Sequence, residues 1–598
     1  MTVILVLDQN ALGLAQNIKT AFKDAIIHGL AHRVTGADES FIDTTTHLRD
    51  LFLSGESIIG LCATGILVRA LAPVLSSKNR EPAVLAVARD GSIVVPLLGG
   101  HNGANRMGEK IAKVCDCKVA ITTASEISFG VAIDDPPESW EVLNKHAAKK
   151  ISARLLAGDP VRLDVDCGDI EWLIGSGGKF DGISTGPRIR VTHKKIENLH
   201  NDLIMCPPVL ALGVGCERDC DPLELEELAR KTIENSGLSA HAVCCVVSID
   251  VKMDELAVHK LAESFEVPAR FFTAQELEKL SSFLPNPSNV VFNEVGCHGV
   301  SEGAALAAVG KGGKLLVEKT RSKHATCAIS IDPKGINVSQ VGQARGHLSI
   351  IGIGPGTKSW RTPEATDLLI EATDIVGYGL YLDLIDDLIQ KKKLHKSKLA
   401  QEEKRVRHAL DLASKGSNVA LVCSGDAGIY ALASLVFELL DRENRRDWNR
   451  VTIQVAPGVS ALQAAAARIG APIGHDFCTI SLSDLLTPYA EIEMRLRAAA
   501  EGDFVVALYN PVSKRRRTQL AEAQKIIAAS RGLDVPVVLA RNLGRRNETI
   551  EVVKLRDLTP DHADMLTLVL VGSSHSKIIE RGGKRWVYTP RGYAKKLK

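Results

Sequence analysis

Short apolar runs alternate with stretches of helical periodicity along most of this chain. It opens with "TVILVLD", a strand-like run, and continues with "ALGLAQNIKTAF", whose apolar spacing suits an amphipathic helix. The alternation persists to about Ser125 and predicts helices packed on a mostly parallel sheet. From about Ile127 to Pro208 the sequence is more polar and rich in turn dipeptides, among them Asp134-Asp135-Pro136-Pro137, so a smaller module is expected there. A second α/β stretch follows, with strands in "PVLALGVGCERDC", "AVCCVVSID", "KLLVEKT" and "ATCAISI" and helices in "PLELEELARKTIENSG", "DELAVHKLAESFE" and "SEGAALAAVG". After "DPKGINVSQVGQARG", which has the composition of a linker, the pattern resets. Seven further strands are expected near "HLSIIGIG", "DIVGYG", "NVALVCSGD", "VTIQVAPG", "DFVVALYNP", "VPVVLARN" and "LTLVLVGSS". The expected segments are 1–126, 127–208, 209–332, a linker 333–346, and 347–598.

Bulk properties narrow the possibilities. A length of 598 residues calls for several packed cores. A net charge of +2 offers no whole-molecule attraction to nucleic acid or to anionic lipid, so neither is expected as a partner, and any anion binding must be local. The N-terminus lacks the marks of a secretory signal and no run reaches the roughly 18 apolar residues of a membrane span; a cytoplasmic protein without a membrane partner is expected. The thirteen cysteines include Cys115 with Cys117, Cys216 with Cys220, and Cys244 with Cys245. No paired CxxC pattern is present, and most of them sit in apolar runs, so they are expected to be reduced, buried thiols and no metal site is assigned.

The stretch from Ser349 to Trp360, "SIIGIGPGTKSW", looks like a nucleotide loop and fails as one. A dinucleotide fingerprint needs its third glycine later than Gly356 and an acid at the end of the next strand, whereas Asp374 begins that run. A P-loop would need Gly-Lys-Ser/Thr at its end. The following helix is expected to start at Thr362, as N-cap, with Pro363 in its first turn, too far on for a phosphate cradle. What the glycines offer is main chain open to close approach by a flat or elongated ligand, stiffened by Pro355. Three more strand ends, "CSGDAGIYALAS", "APGVSALQAAAARIGAPI" and "ALYNP", carry similar loops, and ligand crevices in open α/β sheets lie at that edge.

Together, "GIGPG" at Gly352–Gly356, "SGDAGIY" at Ser424–Tyr430, "PGVSALQAAAARIGAP" at Pro457–Pro472, "YNP" at Tyr509–Pro511 and "RNLGRRNE" at Arg541–Glu548 resemble the tetrapyrrole methylase family. Within it they most resemble the precorrin-3B C(17)-methyltransferases, which include the cobalt-factor III methyltransferases. The resemblance covers the chain from about His347 onward. It implies two α/β lobes with S-adenosyl-L-methionine in the cleft between them, a precorrin or cobalt-precorrin substrate, and a homodimer formed through this domain. The matching cofactor-lining positions are Pro355, Gly425, Asp426, Ile429, Ser460, Ala461, Asn510 and Gly544. A polycarboxylate macrocycle calls for local cations; Lys514, Arg515, Arg516, Arg541, Arg545 and Arg546 are expected to include them, arginine matching carboxylates through its planar fork.

In the first half, "CATGILVRALAP" at Cys62–Pro73, "VVPLLGGHNGANRMGEKIA" at Val94–Ala112, "ALGVGCERD" and the stretch starting "GVSEGAALAAVG" resemble the cobalt-precorrin-5A hydrolases. That resemblance implies opening of a ring lactone with release of acetaldehyde, chemistry that needs a polarised carbonyl, a placed water and an acid or base. His101, Glu302 and Lys319 are the catalytic candidates, with Thr64 and Asn105 as further polar residues in the motifs. His101 could instead bond a turn, and Glu302 could cap its helix. The expected whole is thus α/β and multidomain: a C-terminal two-lobed tetrapyrrole methylase fold preceded by α/β domains of the hydrolase family. Two rivals stand beside this bifunctional enzyme of cobalamin synthesis. One is a non-catalytic tetrapyrrole-binding first half; the other, disfavoured by Asp374, is a nicotinamide dehydrogenase.

Overall fold

The computed structural model describes residues 1–22, 24–75, 81–123, 127–128, 130–133, 135–137, 139–197, 201–390, 392–398, 401–513 and 516–593. The chain forms two compact units, Met1–Gly342 and Gln343–Lys598.

The described residues of the first unit form three sheets. The opening apolar run forms the Thr2–Val6 strand, buried throughout, and pairs in parallel with Ala25–Leu30 and Ser57–Leu61. It lies near the centre of a seven-stranded sheet in which only the pairing of Val84–Val87 with Ile93–Leu98 is antiparallel. The polar stretch after 126 contributes a five-stranded sheet of its own, with a core containing Ile151, Leu173, Ile189 and Met205. A third sheet is built on Leu210–Cys216 and Val243–Ile249, with Ala325–Ile331 antiparallel to the former. Here the Ser301–Val309 helix packs so tightly that a Cβ on Gly213 would stand 2.0 Å from the Ser301 carbonyl oxygen.

Each end of the linker-like stretch packs on its own unit. Ile336 and Val341 are buried in the first unit, and Arg270 holds the carbonyls of Val341 and Gly342. From Gln343 onward the contacts belong to the second unit, with Gln343 donating to the Ser414 carbonyl and Arg345 to that of Arg450.

The second unit has two lobes. The first is a five-stranded all-parallel sheet in the order Lys393–Ser397, Asp374–Tyr378, Asn418–Cys423, His347–Gly352, Thr452–Ala456. Its central strands are buried on both faces, as parallel strands covered by helices must be. One covering helix, Glu402–Ser414, packs on fully buried Trp448, whose indole N–H donates to Asp411 while Arg445 lies 4.0 Å over the ring. The second lobe's sheet runs Phe477–Ser481, Val505–Tyr509, Thr567–Val571, Pro536–Arg541, Thr549–Lys554, its first two strands parallel and the rest antiparallel. A small sheet of Gly470–Ala471, Lys584–Tyr588 and Lys577–Arg581 completes it. Thr362 caps the Pro363–Glu371 helix by accepting the Ala365 N–H, with Pro363 in the first turn. Every loop singled out in the second half of the sequence leaves the carboxyl end of one of these strands.

All thirteen cysteines are free, and burial pushes several thiols up, that of Cys206 to about 11. Among the described residues no helix is long and apolar enough to cross a membrane.

Candidate functional site

In the second unit the strand-end loops meet backbone to backbone. Gly354 and Gly425 exchange main-chain hydrogen bonds of 3.1 and 2.8 Å, both in the left-handed region at φ +75° and +70°. A Cβ on Gly458 would stand 2.2 Å from the Gly425 carbonyl oxygen, one on Gly352 2.7 Å from the same atom, and one on Gly356 2.5 Å from that of Gly544. This corrects the expectation that the glycines of "GIGPG" bare the main chain to a ligand: their missing side chains let four loops close on one another. Packing relaxes at Gly425, where a Cβ would make only ordinary contacts, with the Ser460 Cα at 3.9 Å and the Ala461 nitrogen at 4.0 Å. That position faces the start of the Ala461–Ile469 helix, where Ser460 and Gln463 form a reciprocal capping box.

The polar side chains hold this geometry. Asp426 accepts the N–H groups of Gly428 at 2.8 Å and Gly458 at 3.1 Å, one on each carboxylate oxygen, and so ties two loops together. Arg545 reaches across the lobes, donating to the Pro355 carbonyl at 2.8 Å and the Ser424 hydroxyl at 2.9 Å; burial lowers its pKa. Gly544, at φ +66°, donates its N–H to Glu548, which also pairs with Arg468. Asn510, at φ +50°, ends the Val505–Tyr509 strand and donates to the Ser481 hydroxyl. Direct bonds and close approaches thus join Pro355, Gly425, Asp426, Ser460, Ala461 and Gly544. Asn510 joins through its neighbour Tyr509, whose hydroxyl accepts the Leu462 N–H, and Ile429 lies half-buried beside exposed Tyr430.

Two tyrosines at the site are not among the residues expected from the motifs. Tyr430, at φ +50°, donates its hydroxyl to the Thr479 carbonyl across the lobes, and its ring centre lies 5.2 Å from that of Tyr509. Burial raises the Tyr509 phenol's pKa. Their adjacency to "SGDAGI" and "NP" was the available signal.

The expected arginine grip changes character. Arg516 is buried, donating to the Asn510 carbonyl at 2.7 Å and the Ser483 hydroxyl at 3.1 Å. Arg545 is occupied as described, and Arg541 pairs with Asp564 at 2.6 Å. Both terminal nitrogens of Arg516, and two nitrogens of Arg545, are taken by protein groups, so these two serve the scaffold and leave the grip expected of some of the six cations to the others. Arg546 is exposed; Lys514 and Arg515 lie outside the described residues.

In the first unit, Glu302 and Lys319 come together. Glu302, only 1% exposed, accepts from the Asn286 N–H, the Asn286 side-chain amide and the Lys319 N–H at 2.9–3.2 Å. It therefore braces a loop and a strand and does not cap its helix. The Lys319 ammonium donates to the Asn286 carbonyl, and burial lowers its pKa. His101 lies in the turn Gly100–Asn102 beyond the Ile93–Leu98 strand of a different sheet, and its side chain is outside the description. Asn105 is buried, donating to the Thr123 hydroxyl, and Thr64 is exposed in the first turn of the Thr64–Leu71 helix.

Comparison with known proteins places these features. Residues 347–559 match the model of the tetrapyrrole (corrin/porphyrin) methylases, residues 210–330 the C-terminal model of cobalamin synthesis G, and residues 46–126 its N-terminal model. A precorrin-3B C(17)-methyltransferase from a Sinorhizobium species is 43% identical over 251 residues, 42% of this chain and 98% of that protein. The cobalt-factor III methyltransferase of Priestia megaterium is 40% identical over 252 residues, 42% of this chain and 46% of that one, so the chain spans about half of that relative's length. Among solved structures, that of the methyltransferase CobJ is 42% identical, covering 41% of this chain and 100% of that chain, with a TM-score of 0.38.

Proposed function

The chain belongs to the tetrapyrrole methylases through its second unit, and from that premise we propose that it is a bifunctional enzyme of cobalamin synthesis. The second unit methylates precorrin-3B or cobalt-factor III at carbon 17 with ring contraction, using S-adenosyl-L-methionine. The observation that carries this reading is the convergence of four strand-end loops, tight at Gly352, Gly356 and Gly458 and relaxed at Gly425, where a Cβ would project toward Ser460 and Ala461. Such a cradle fits a cofactor that lies against main chain. Gly425, Ser460, Ala461 and Asn510 would form its walls, with Pro355, Ile429 and Gly544 around them and Asp426 locking the two loops that shape it. When bound, the cofactor supplies a methyl group already activated on a sulfonium.

The residues of the chain then have three tasks: to bind, to orient and to exclude water. No side chain need take a proton before attack, so alignment supplies most of the acceleration. The seam suits that task because its loops are fixed by backbone hydrogen bonds and by Arg545, which leaves little reorganisation to the moment of reaction.

The first unit opens the lactone of cobalt-precorrin-5A and releases acetaldehyde. Lys319 and His101 are assigned to that chemistry, with Glu302 fixing the backbone that carries Lys319. The protein acts in the cytoplasm as a homodimer formed through the second unit. Titration with S-adenosyl-L-methionine and with NAD tests the first assignment: saturable binding of the former alone supports it, and binding of NAD alone overturns it. For the first unit, Lys319→Met should abolish acetaldehyde release; binding without turnover in the unaltered protein would leave it a binding module.

A further inference from the structure

Among the described residues of the second unit, the most exposed pair of adjacent large apolar residues lies in one loop. The loop from Leu482 to Pro488 joins the Phe477–Ser481 strand to the Tyr489–Glu501 helix, and its two central residues, Leu485 and Leu486, are 84% and 94% exposed. Single exposed leucines are ordinary; an adjacent pair at nearly full exposure on a fixed loop is not.

The loop is fixed on its N-terminal side by four contacts. Leu482 is buried and its N–H donates to the Tyr509 carbonyl at 2.9 Å. The Ser483 hydroxyl accepts from buried Arg516, whose guanidinium also approaches Asp484 at 3.7 Å. Asp484 in turn accepts from the Gln519 side chain at 3.0 Å. Because Arg516 also holds the Asn510 carbonyl, one guanidinium ties this loop to the strand end that carries a wall of the methyl-donor cleft.

We propose that Leu485 and Leu486 form an apolar platform on which one face of the tetrapyrrole macrocycle rests during methyl transfer, with Arg516 as the positioning residue that sets the platform against the cleft. The proposal rests on the methyltransferase reading of this unit. The ligand's chemistry fits: a macrocycle is flat and apolar on its faces and carries carboxylates around its edge. The Phe477–Ser481, Val505–Tyr509 and Pro536–Arg541 strands are mutually parallel, so exposed Arg546, in the loop after the last of them, lies at the same sheet edge as the leucines. Apolar surface and an exposed cation at one edge match such a molecule. A second copy of the chain fits less well. A stable protein interface buries roughly 1,200–2,000 Å². Two side chains fall far short of that, and the helix that follows presents Glu491, Glu493, Arg495 and Arg497 around a single exposed large apolar residue, Met494.

The test uses the full-length protein and anaerobically prepared cobalt-factor III and precorrin-3B, each titrated by absorbance and assayed for methyl transfer. The double variant Leu485→Ser/Leu486→Ser should weaken tetrapyrrole binding and raise KM by tenfold or more, each lost apolar contact being worth roughly a factor of ten. The Kd for S-adenosyl-L-methionine and the sedimentation mass should stay as in the wild type. Leu485→Met/Leu486→Met should restore binding, and Arg516→Met should raise KM with a smaller effect on donor binding. Unchanged tetrapyrrole affinity in the serine variant overturns the platform alone, as does a fall in sedimentation mass, which would make the pair an interface between copies. A wild type that binds neither tetrapyrrole overturns both the platform and the methyltransferase reading beneath it.

Discussion

In the second unit the motif glycines press four loops together and leave Gly425 room for ordinary contact only with Ser460 and Ala461, whereas in the first unit the motif residues Glu302 and Asn105 lie sealed inside the fold with their hydrogen bonds made. Both stretches are equally conspicuous in the sequence. The difference teaches that a conspicuous motif marks a place where packing is demanding, and that function has to be read from what the packing leaves open. At the seam it leaves open the Gly425 cradle and the two leucines above the Arg516 clamp; around Glu302 it leaves the Lys319 ammonium, held on one carbonyl.

Glu302→Ala should sharpen this contrast most. It strips three donors of their acceptor inside the first unit, so a loss of about 4 kcal/mol in that unit's stability is expected, measured by denaturant titration with hydrogen exchange reporting on residues 284–320. Methyl transfer by the second unit should be untouched. Glu302→Gln, which can still accept, should retain most of the stability; if it instead loses acetaldehyde release while keeping full stability, the carboxylate is catalytic and the contrast breaks.

Gly458→Ala comes next. Its Cβ would collide with two main-chain carbonyl oxygens, which should cost about 3 kcal/mol and remove donor binding together. Gly425→Ala would meet only ordinary contacts at 3.9–4.0 Å, so its cost is that of a side chain at φ +70°, about 1–2 kcal/mol and less than for Gly458→Ala, while the donor is weakened. Equal loss of stability in the two variants would show that Gly425 is part of the seam and not of the cradle. Arg545→Met removes two hydrogen bonds from the inner guanidinium and should cost about 2 kcal/mol, with donor binding falling more than tetrapyrrole binding. A selective loss of tetrapyrrole binding would return Arg545 to the grip first expected of it.

The smallest effect concerns pH and the first unit. His28 and His47 lie 2.8 Å apart, ring nitrogen to ring nitrogen, and burial lowers the pKa of both, with Glu39 partly opposing it. The unfolded histidines take up protons near pH 6.5 while the folded pair resists them. Stability from this pair is therefore complete above about pH 6.5 and declines as pH falls below it. The protection of the Ala25–Leu30 strand amides, exchange rate corrected for the intrinsic rate at each pH, should fall between pH 7 and pH 5.5, and His47→Gln should flatten that dependence.

The seven strands expected in the second half are all present, because buried parallel strands are continuous apolar runs that stand out against helical periodicity. The Lys393–Ser397, Phe477–Ser481 and Thr549–Lys554 strands were missed for the converse reason. They lie at sheet edges, so residues such as Lys393, His395, Phe477 and Glu551 face partly outward and the apolar pattern is broken. The five-stranded sheet after residue 126 hid behind its turns in the same way. At the site, the convergence of loops was legible from their common position after strands. The destination of each side chain was not, since whether an arginine meets a substrate or a carbonyl depends on residues distant in sequence: Arg545 finds Pro355, 190 positions away.

The most direct test of the central claim is anaerobic incubation of the full-length protein with S-adenosyl-L-methionine isotopically labelled in its methyl group, offering precorrin-3B or cobalt-factor III and reading the tetrapyrrole product by mass and by carbon NMR. The account predicts one labelled methyl on carbon 17 of a contracted ring. Absence of labelled product from both tetrapyrroles, in a protein that binds them and the donor, would contradict it.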